Sequence, residues 1–158
     1  MKIRLASFVH DSIVDGDGLR SVIFVQGCPH NCPGCHNQKA ISFKAGTWID
    51  IEDVIQEVLD HNHKRVTFSG GEPFVQAEAL YHIVVRLKAE GYSLWSYSGY
   101  TIDALLKHHD PYVRKLLELL DILVDGRFIL KHRNLAILFR GSTNQRIIDV
   151  PASLAANE

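Results

Sequence analysis

Three cysteines stand close together in the run Gly27-Cys28-Pro29-His30-Asn31-Cys32-Pro33-Gly34-Cys35-His36, and the chain has no others. An odd, tightly clustered set argues against a disulfide framework and for a shared ligand. Three residues and then two separate the thiols, so one short loop can turn all three inward. Three thiolates leave one iron of a four-iron cluster without a protein ligand, open to a substrate or cofactor. The same thiolates with His30 or His36 make a Cys3His zinc set. Unligated structural thiols are the third reading.

A second constellation is Phe68-Ser69-Gly70-Gly71-Glu72-Pro73. Two glycines allow close backbone approach and expose amides and carbonyls to a ligand. Glu72 adds an anion suited to an ammonium group. The plainer reading is a strand-to-helix turn. Smaller signals follow further along. Ser96 and Ser98 alternate with Trp95 and Tyr97, which puts Ser98 at a strand end. Asp125 and Arg127 close another strand, as ligand contacts or as a structural ion pair. Arg140, Asn144, Gln145 and Arg146 form a polar run suited to partner contact or to a solvated loop. His61, His63, His108 and His109 read as surface residues at helix ends.

The elements that must position these residues alternate. Residues 21–25 form an apolar strand ending at Gly27. Asp50 caps a helix with Ile51, Val54, Ile55, Val58 and Leu59 on one face. Residues 65–69 are a strand stopped by Gly70-Gly71. A helix with Ala79, Leu80, Ile83, Val84 and Leu87 follows, then Gly91 beyond its end. Residues 92–98 are a strand, Thr101 opens a short helix, and Val113, Leu116, Leu117 and Leu120 mark another. Residues 122–125 form a strand, with edge strands at 137–139 and 147–150. This alternation predicts a single α/β domain over 1–158: a partial, open βα barrel with a mostly parallel sheet and right-handed crossovers. A full eight-unit barrel takes about 250 residues, more than the 158 present. Segments 26–37, 69–73, 98–99 and 125–127 then share the carboxyl edge, where ligands collect. The tail from 152 to 158 reads as frayed.

Lys plus Arg number 17 and Asp plus Glu 18, so the net charge is -1. That lacks the basic excess of a general nucleic-acid grip. No apolar run approaches the roughly 20 residues of a membrane span. The first residues look strand-like and unlike a signal peptide, so a cytoplasmic location is the expectation.

The cysteine spacing together with Gly70-Gly71-Glu72-Pro73 resembles the radical S-adenosylmethionine superfamily. The run from Asp15 to Gly27 resembles the entry strand of glycyl-radical enzyme activases. Residues 95–101, 123–128 and 139–149 resemble the branch that activates the anaerobic ribonucleoside-triphosphate reductase. Gly34 stands where many superfamily members carry an aromatic residue, His36 where this branch has an aromatic, and Asp17 where proline is frequent.

The resemblance implies that Cys28, Cys32 and Cys35 hold one 4Fe-4S cluster whose open iron takes S-adenosylmethionine. Gly34, Cys35, His36, Gly70, Gly71, Glu72, Pro73, Ser98 and Asp125 are the implied cofactor contacts, with Glu72 and the glycines at the ammonium. No side chain acts as a conventional acid or base. The implied activity is reductive cleavage of S-adenosylmethionine and formation of a glycyl radical on the reductase, fed by an electron donor such as flavodoxin or ferredoxin. Two alternatives stay open: a radical enzyme acting on a small molecule such as a deazapurine precursor, and a zinc-stabilised binding module.

Overall fold

The computed structural model describes residues 1–12, 16–30, 40–61, 63–127, 129, 132, 134, 139–140 and 142–156. Its strands are β1 (Lys2–Ser12), β2 (Arg20–Val25), β3 (Thr47–Asp50), β4 (Arg65–Gly70), β5 (Ser93–Tyr97), β6 (Ile122–Asp125) and β7 (Arg146–Asp149). Its helices are α1 (Ile51–Leu59), α2 (Ala77–Ala89), α3 (Ile102–Leu106), α4 (Pro111–Leu119) and α5 (Val150–Ala156). A 3-10 turn, Pro73–Gln76, leads into α2.

The sheet runs β3-β1-β2-β4-β5-β6-β7. The central strands β2, β4, β5 and β6 pair in parallel. Strands β1, β3 and β7 add to the two sides antiparallel. Each parallel step moves the same way across the sheet, so right-handed crossovers lay the helices on one face, as in a barrel. The sheet stays open, with β3 and β7 at its edges. The predicted open α/β architecture is the one observed.

Helix starts follow local chemistry. Asp50 Oδ1 accepts from Glu52 N at 3.0 Å and Asp110 Oδ1 from Tyr112 N at 2.9 Å, each satisfying an amide with no partner inside its helix. The core lies between the helices and one sheet face. Ile23, Val25, Val66, Phe68, Leu94 and Leu123 pack there against Ile55, Leu80, Ile83, Leu87, Leu116 and Leu117.

The other face carries a buried cation. Arg20 donates from Nε to Thr67 Oγ1 (2.8 Å) and from its terminal nitrogens to Asp17 O, Val66 O and Ser93 O (2.9–3.0 Å). Its guanidinium also lies 5.1 Å from the Trp95 ring centroid. Burial, followed by the nearby Arg65 charge, lowers its pKa to about 10, so it remains a cation at neutral pH. Arg20 staples the starts of β2, β4 and β5, leaving their far ends to the site.

Several expectations shift. Strand β3 carries no alternating pattern and is missed: its residues are exposed or half-buried at the sheet edge, and Trp48 lies under Arg4. The edge strand expected at 147–150 is β7, and Val150 opens a helix. The tail expected to fray from 152 continues in α5 to Ala156, with Val150 buried in the core. Residues 137 and 138 of the other expected edge strand lie outside the described residues. His61 and His63 pack on the end of β1: His61 stacks on His10, and His63 is only 9% exposed beside Asp11. Among the described residues no helix is long and apolar enough to cross a membrane.

Candidate active site at the carboxyl edge of the sheet

Beyond β2 the chain leaves the sheet at Gln26 and is tied at both ends of the excursion. Gly27 N donates to Ala40 O (2.7 Å), Cys28 N to Ile41 O (3.0 Å) and Gln26 Nε2 to Ser42 O (2.6 Å). Gln76 braces this base from below, donating to Gln26 O and exchanging two bonds with the Arg4 backbone. The two described ends of the cysteine-bearing segment are therefore clamped together at a neck. Cys28, half-buried, stands at that neck. Cys32, Gly34, Cys35 and His36 lie outside the described residues.

The Gly70-Gly71-Glu72-Pro73 turn packs directly on the neck. Gly71 N donates to Val25 O (2.9 Å) and Glu72 N to Gly27 O (2.8 Å). Gly70 has φ +101, and a Cβ on it would lie 2.5 Å from Val25 O. A Cβ on Gly71 would press into Gly27 O and Ala40 O. Gly70 thus serves a close approach to the end of β2, and Gly71 one to the backbone at the neck of the cysteine segment. Pro73 opens the 3-10 turn, where its missing N–H leaves no bond unmade.

Glu72 is 0% exposed, and its carboxylate joins three loops. Oε1 faces His30 Nε2 at 2.6 Å and accepts from Gly99 N at 2.7 Å. Oε2 accepts from Phe74 N at 3.1 Å. Ser98 Oγ lies 3.0 Å from both oxygens and itself accepts from Tyr100 N. The His30 side chain is 3% exposed, its ring against Gly99 and edge-on to Tyr100. Burial, then the charges of Glu72 and Cys28, raise the Tyr100 pKa, so its phenol stays protonated at neutral pH.

Next to this knot is a cavity of about 410 Å³, lined among others by Gly99, Tyr100, Thr101, Asp125, Arg127 and Arg146. That volume is in the range of small-molecule sites. Asp125, 1% exposed, forms a two-pronged ion pair with Arg146 at 3.0 and 2.6 Å. It also accepts from Ile102 N at the start of α3. Asn144 and Gln145 donate to Arg127 O and Gly126 O. The polar run after 140 thus closes the end of β6 with its own side chains.

Parallel strands bring Cys28, Gly70, Gly71, Glu72, Pro73, Ser98 and Asp125 to one edge, as expected. Within it, Ser98 and Glu72 touch directly, whereas Asp125 is engaged by Arg146. The residue missed is His30, weighed only as a fourth zinc ligand. Its signal was its place in a loop on the same edge as Glu72. The fit for an iron–sulfur cluster rests on the soft-thiol donor set that the sequence supplies and on the place of Cys28, one of the three, at a neck packed on the turn of a buried acid. His30, turned to Glu72, weakens the zinc set.

Comparison with known proteins agrees. A family model described as a 4Fe-4S single cluster domain matches residues 14–148. Proteins named anaerobic ribonucleoside-triphosphate reductase-activating protein are similar over most of their length. The one from Haemophilus influenzae is 38% identical over 144 residues, 85% of this chain and 90% of that protein. The one from Escherichia coli is 32% identical over 142 residues, 84% and 90% respectively. The Escherichia coli pyruvate formate-lyase 1-activating enzyme is 30% identical, matching 96% of this chain but 62% of that enzyme. The crystal structure of QueE from Escherichia coli shares the fold, with TM-score 0.53 and 15% identity over 79% of this chain and 70% of that one. The relatives favour the activase branch over the small-molecule and zinc alternatives. By this likeness along nearly its whole length, the chain belongs to the family of anaerobic ribonucleoside-triphosphate reductase-activating proteins and carries its 4Fe-4S cluster domain.

Proposed function

We propose that the chain cleaves S-adenosylmethionine reductively and places a glycyl radical on an anaerobic ribonucleoside-triphosphate reductase. The observation that carries this is the junction of the cysteine loop with Glu72 beside a cavity, at the carboxyl edge of the parallel strands. Cys28, Cys32 and Cys35 hold the cluster. Bound there, a 4Fe-4S cluster supplies the electron that splits S-adenosylmethionine into methionine and a 5′-deoxyadenosyl radical, which takes a hydrogen atom from a glycine of the reductase.

The chain's own work is placement. Glu72 is the acid for the ammonium group, and Ser98, Gly99 and Phe74 fix its orientation. Gly70 and Gly71 bring the Glu72 turn against the cysteine loop, so cluster and ammonium sites share one backbone. Gly34, Cys35 and His36 complete the cluster side, and Pro73 starts the turn that aims Glu72. Asp125, held by Arg146, shapes the cavity wall. The open side of the sheet admits a loop of the reductase. The electron comes from a donor such as flavodoxin or ferredoxin, in the cytoplasm.

The test is anaerobic incubation of iron-reconstituted protein with dithionite and S-adenosylmethionine, with 5′-deoxyadenosine measured by chromatography. Wild type is expected to form it. Cys28→Ala, Cys32→Ala and Cys35→Ala are each expected to form none, and full product from any of them refutes the cluster assignment.

A further inference from the structure

The Glu72 carboxylate is saturated. A carboxylate offers about four lone-pair positions. His30 Nε2, Gly99 N, Phe74 N and Ser98 Oγ are four groups that approach it, and Glu72 is fully buried beneath them. An ammonium group reaches this acid only by taking the place of one of them.

The four are not equally replaceable. Gly99 N and Phe74 N belong to the backbone of the β5 loop and of the 3-10 turn. Phe74 is also packed into the core, which pins that amide. Ser98 is buried and holds Tyr100 N as well as Glu72. His30 alone arrives from the cysteine loop, on a side chain that can rotate about its own Cα–Cβ bond without unmaking a backbone turn. Its ring rests against Gly99, where any side chain would collide with it. The same absence of a Cβ keeps that space open for whatever replaces the ring. Gly99 and Tyr100, the two residues the ring rests against, both line the cavity, so the imidazole is one residue removed from it.

We propose that His30 is the exchangeable partner of Glu72: an ammonium-bearing ligand entering from the cavity displaces the imidazole and takes over its position on Oε1. The inference rests on the reading of Glu72 as the ammonium acid and goes beyond it in assigning His30 a positioning and specificity role. His30 keeps the acid covered and paired, and only a ligand carrying a competing cationic donor gains by moving it. Ligands without that group leave the His30–Glu72 contact in place and bind independently of it.

The experiment compares wild type, His30→Ala and His30→Gln, each reconstituted anaerobically, by calorimetric titration with S-adenosylmethionine and with 5′-methylthioadenosine, which lacks the amino-acid part. A dissociation constant does not depend on the fraction of protein that is loaded, so an effect of the substitution on iron content leaves the comparison valid. Removing a competitor for a charge-assisted hydrogen bond is expected to tighten S-adenosylmethionine binding roughly tenfold in His30→Ala. The constant for 5′-methylthioadenosine stays where it was. His30→Gln, which restores an N–H at similar reach, returns S-adenosylmethionine affinity to within about threefold of wild type. Unchanged or weaker S-adenosylmethionine binding in His30→Ala overturns the exchange, as does equal tightening for both ligands, which signals only a larger cavity. Absence of S-adenosylmethionine binding in wild type and variants alike removes the reading of Glu72 together with the exchange.

Discussion

Glu72 shows how much one buried acid can organise. Its oxygens join the cysteine loop, the 3-10 turn and the β5 loop. Glu72→Gln turns one acceptor oxygen into a donor among groups that themselves donate. A buried polar group left facing the wrong partner costs about 1–3 kcal/mol. At about 2–4 °C per kcal/mol for a domain of this size, melting is expected to fall by roughly 2–12 °C. S-adenosylmethionine binding is expected to weaken at least about tenfold, since the attraction of full charge is lost. Calorimetry on the reconstituted variant measures both, and retained affinity would remove Glu72 from the ammonium site. Gly71 makes a different demand. Gly71→Ala drives a methyl group into Gly27 O and Ala40 O, the backbone that closes the cysteine loop. Iron bound per chain after reconstitution is expected to drop by more than half, with a stability loss of about 1–3 kcal/mol. Normal iron content with an unchanged melting temperature would show that the neck tolerates the shift.

At the scale of elements, Arg20 and Arg146 secure opposite ends of the parallel strands. Arg20→Ala leaves Val66 O, Ser93 O and Asp17 O without this donor, the first in a buried contact and the other two in half-buried ones. A loss of about 2–4 kcal/mol is expected. Because the staple is at the end away from Glu72, chains that remain folded should keep wild-type iron content, which metal analysis after reconstitution checks. Arg146→Ala strips the two-pronged partner from buried Asp125, although Arg146 itself is 54% exposed, so the loss is nearer 1 kcal/mol. The side chains around it bond within the chain, so cleavage of S-adenosylmethionine and radical yield should fall together and their ratio should hold. A reduced ratio at unchanged melting temperature would instead make this segment a docking surface.

What the sequence made legible follows the same physics. The helix faces of α1, α2 and α4 and the apolar runs of β2, β4 and β6 could be read because periodicity and burial coincide there. The common edge for Cys28, Glu72, Ser98 and Asp125 could be read because parallel strands put their carboxyl ends together. Contacts made through loops could not. His30 and Glu72 are 42 residues apart, and nothing local says which face of the cysteine loop turns inward. Arg146 meets Asp125 only because β7 returns antiparallel beside β6. Strand β3 borrows its conformation from β1 and buries too little to leave a pattern.

At the scale of the whole molecule, an open sheet keeps the described helices on one face and gathers the candidate site at its carboxyl edge. An activase of another protein needs its site within that protein's reach, since the hydrogen atom must be taken from a glycine that the reductase delivers. The central claim is tested most directly by electron paramagnetic resonance. Reconstituted chain, the reductase of the same cell, dithionite and S-adenosylmethionine are mixed without oxygen, frozen and examined for a glycyl doublet. The account predicts a doublet that requires S-adenosylmethionine and is absent when Cys28→Ala replaces the wild-type chain. No doublet from fully iron-loaded wild-type chain that does cleave S-adenosylmethionine, or an undiminished doublet with Cys28→Ala, would contradict it.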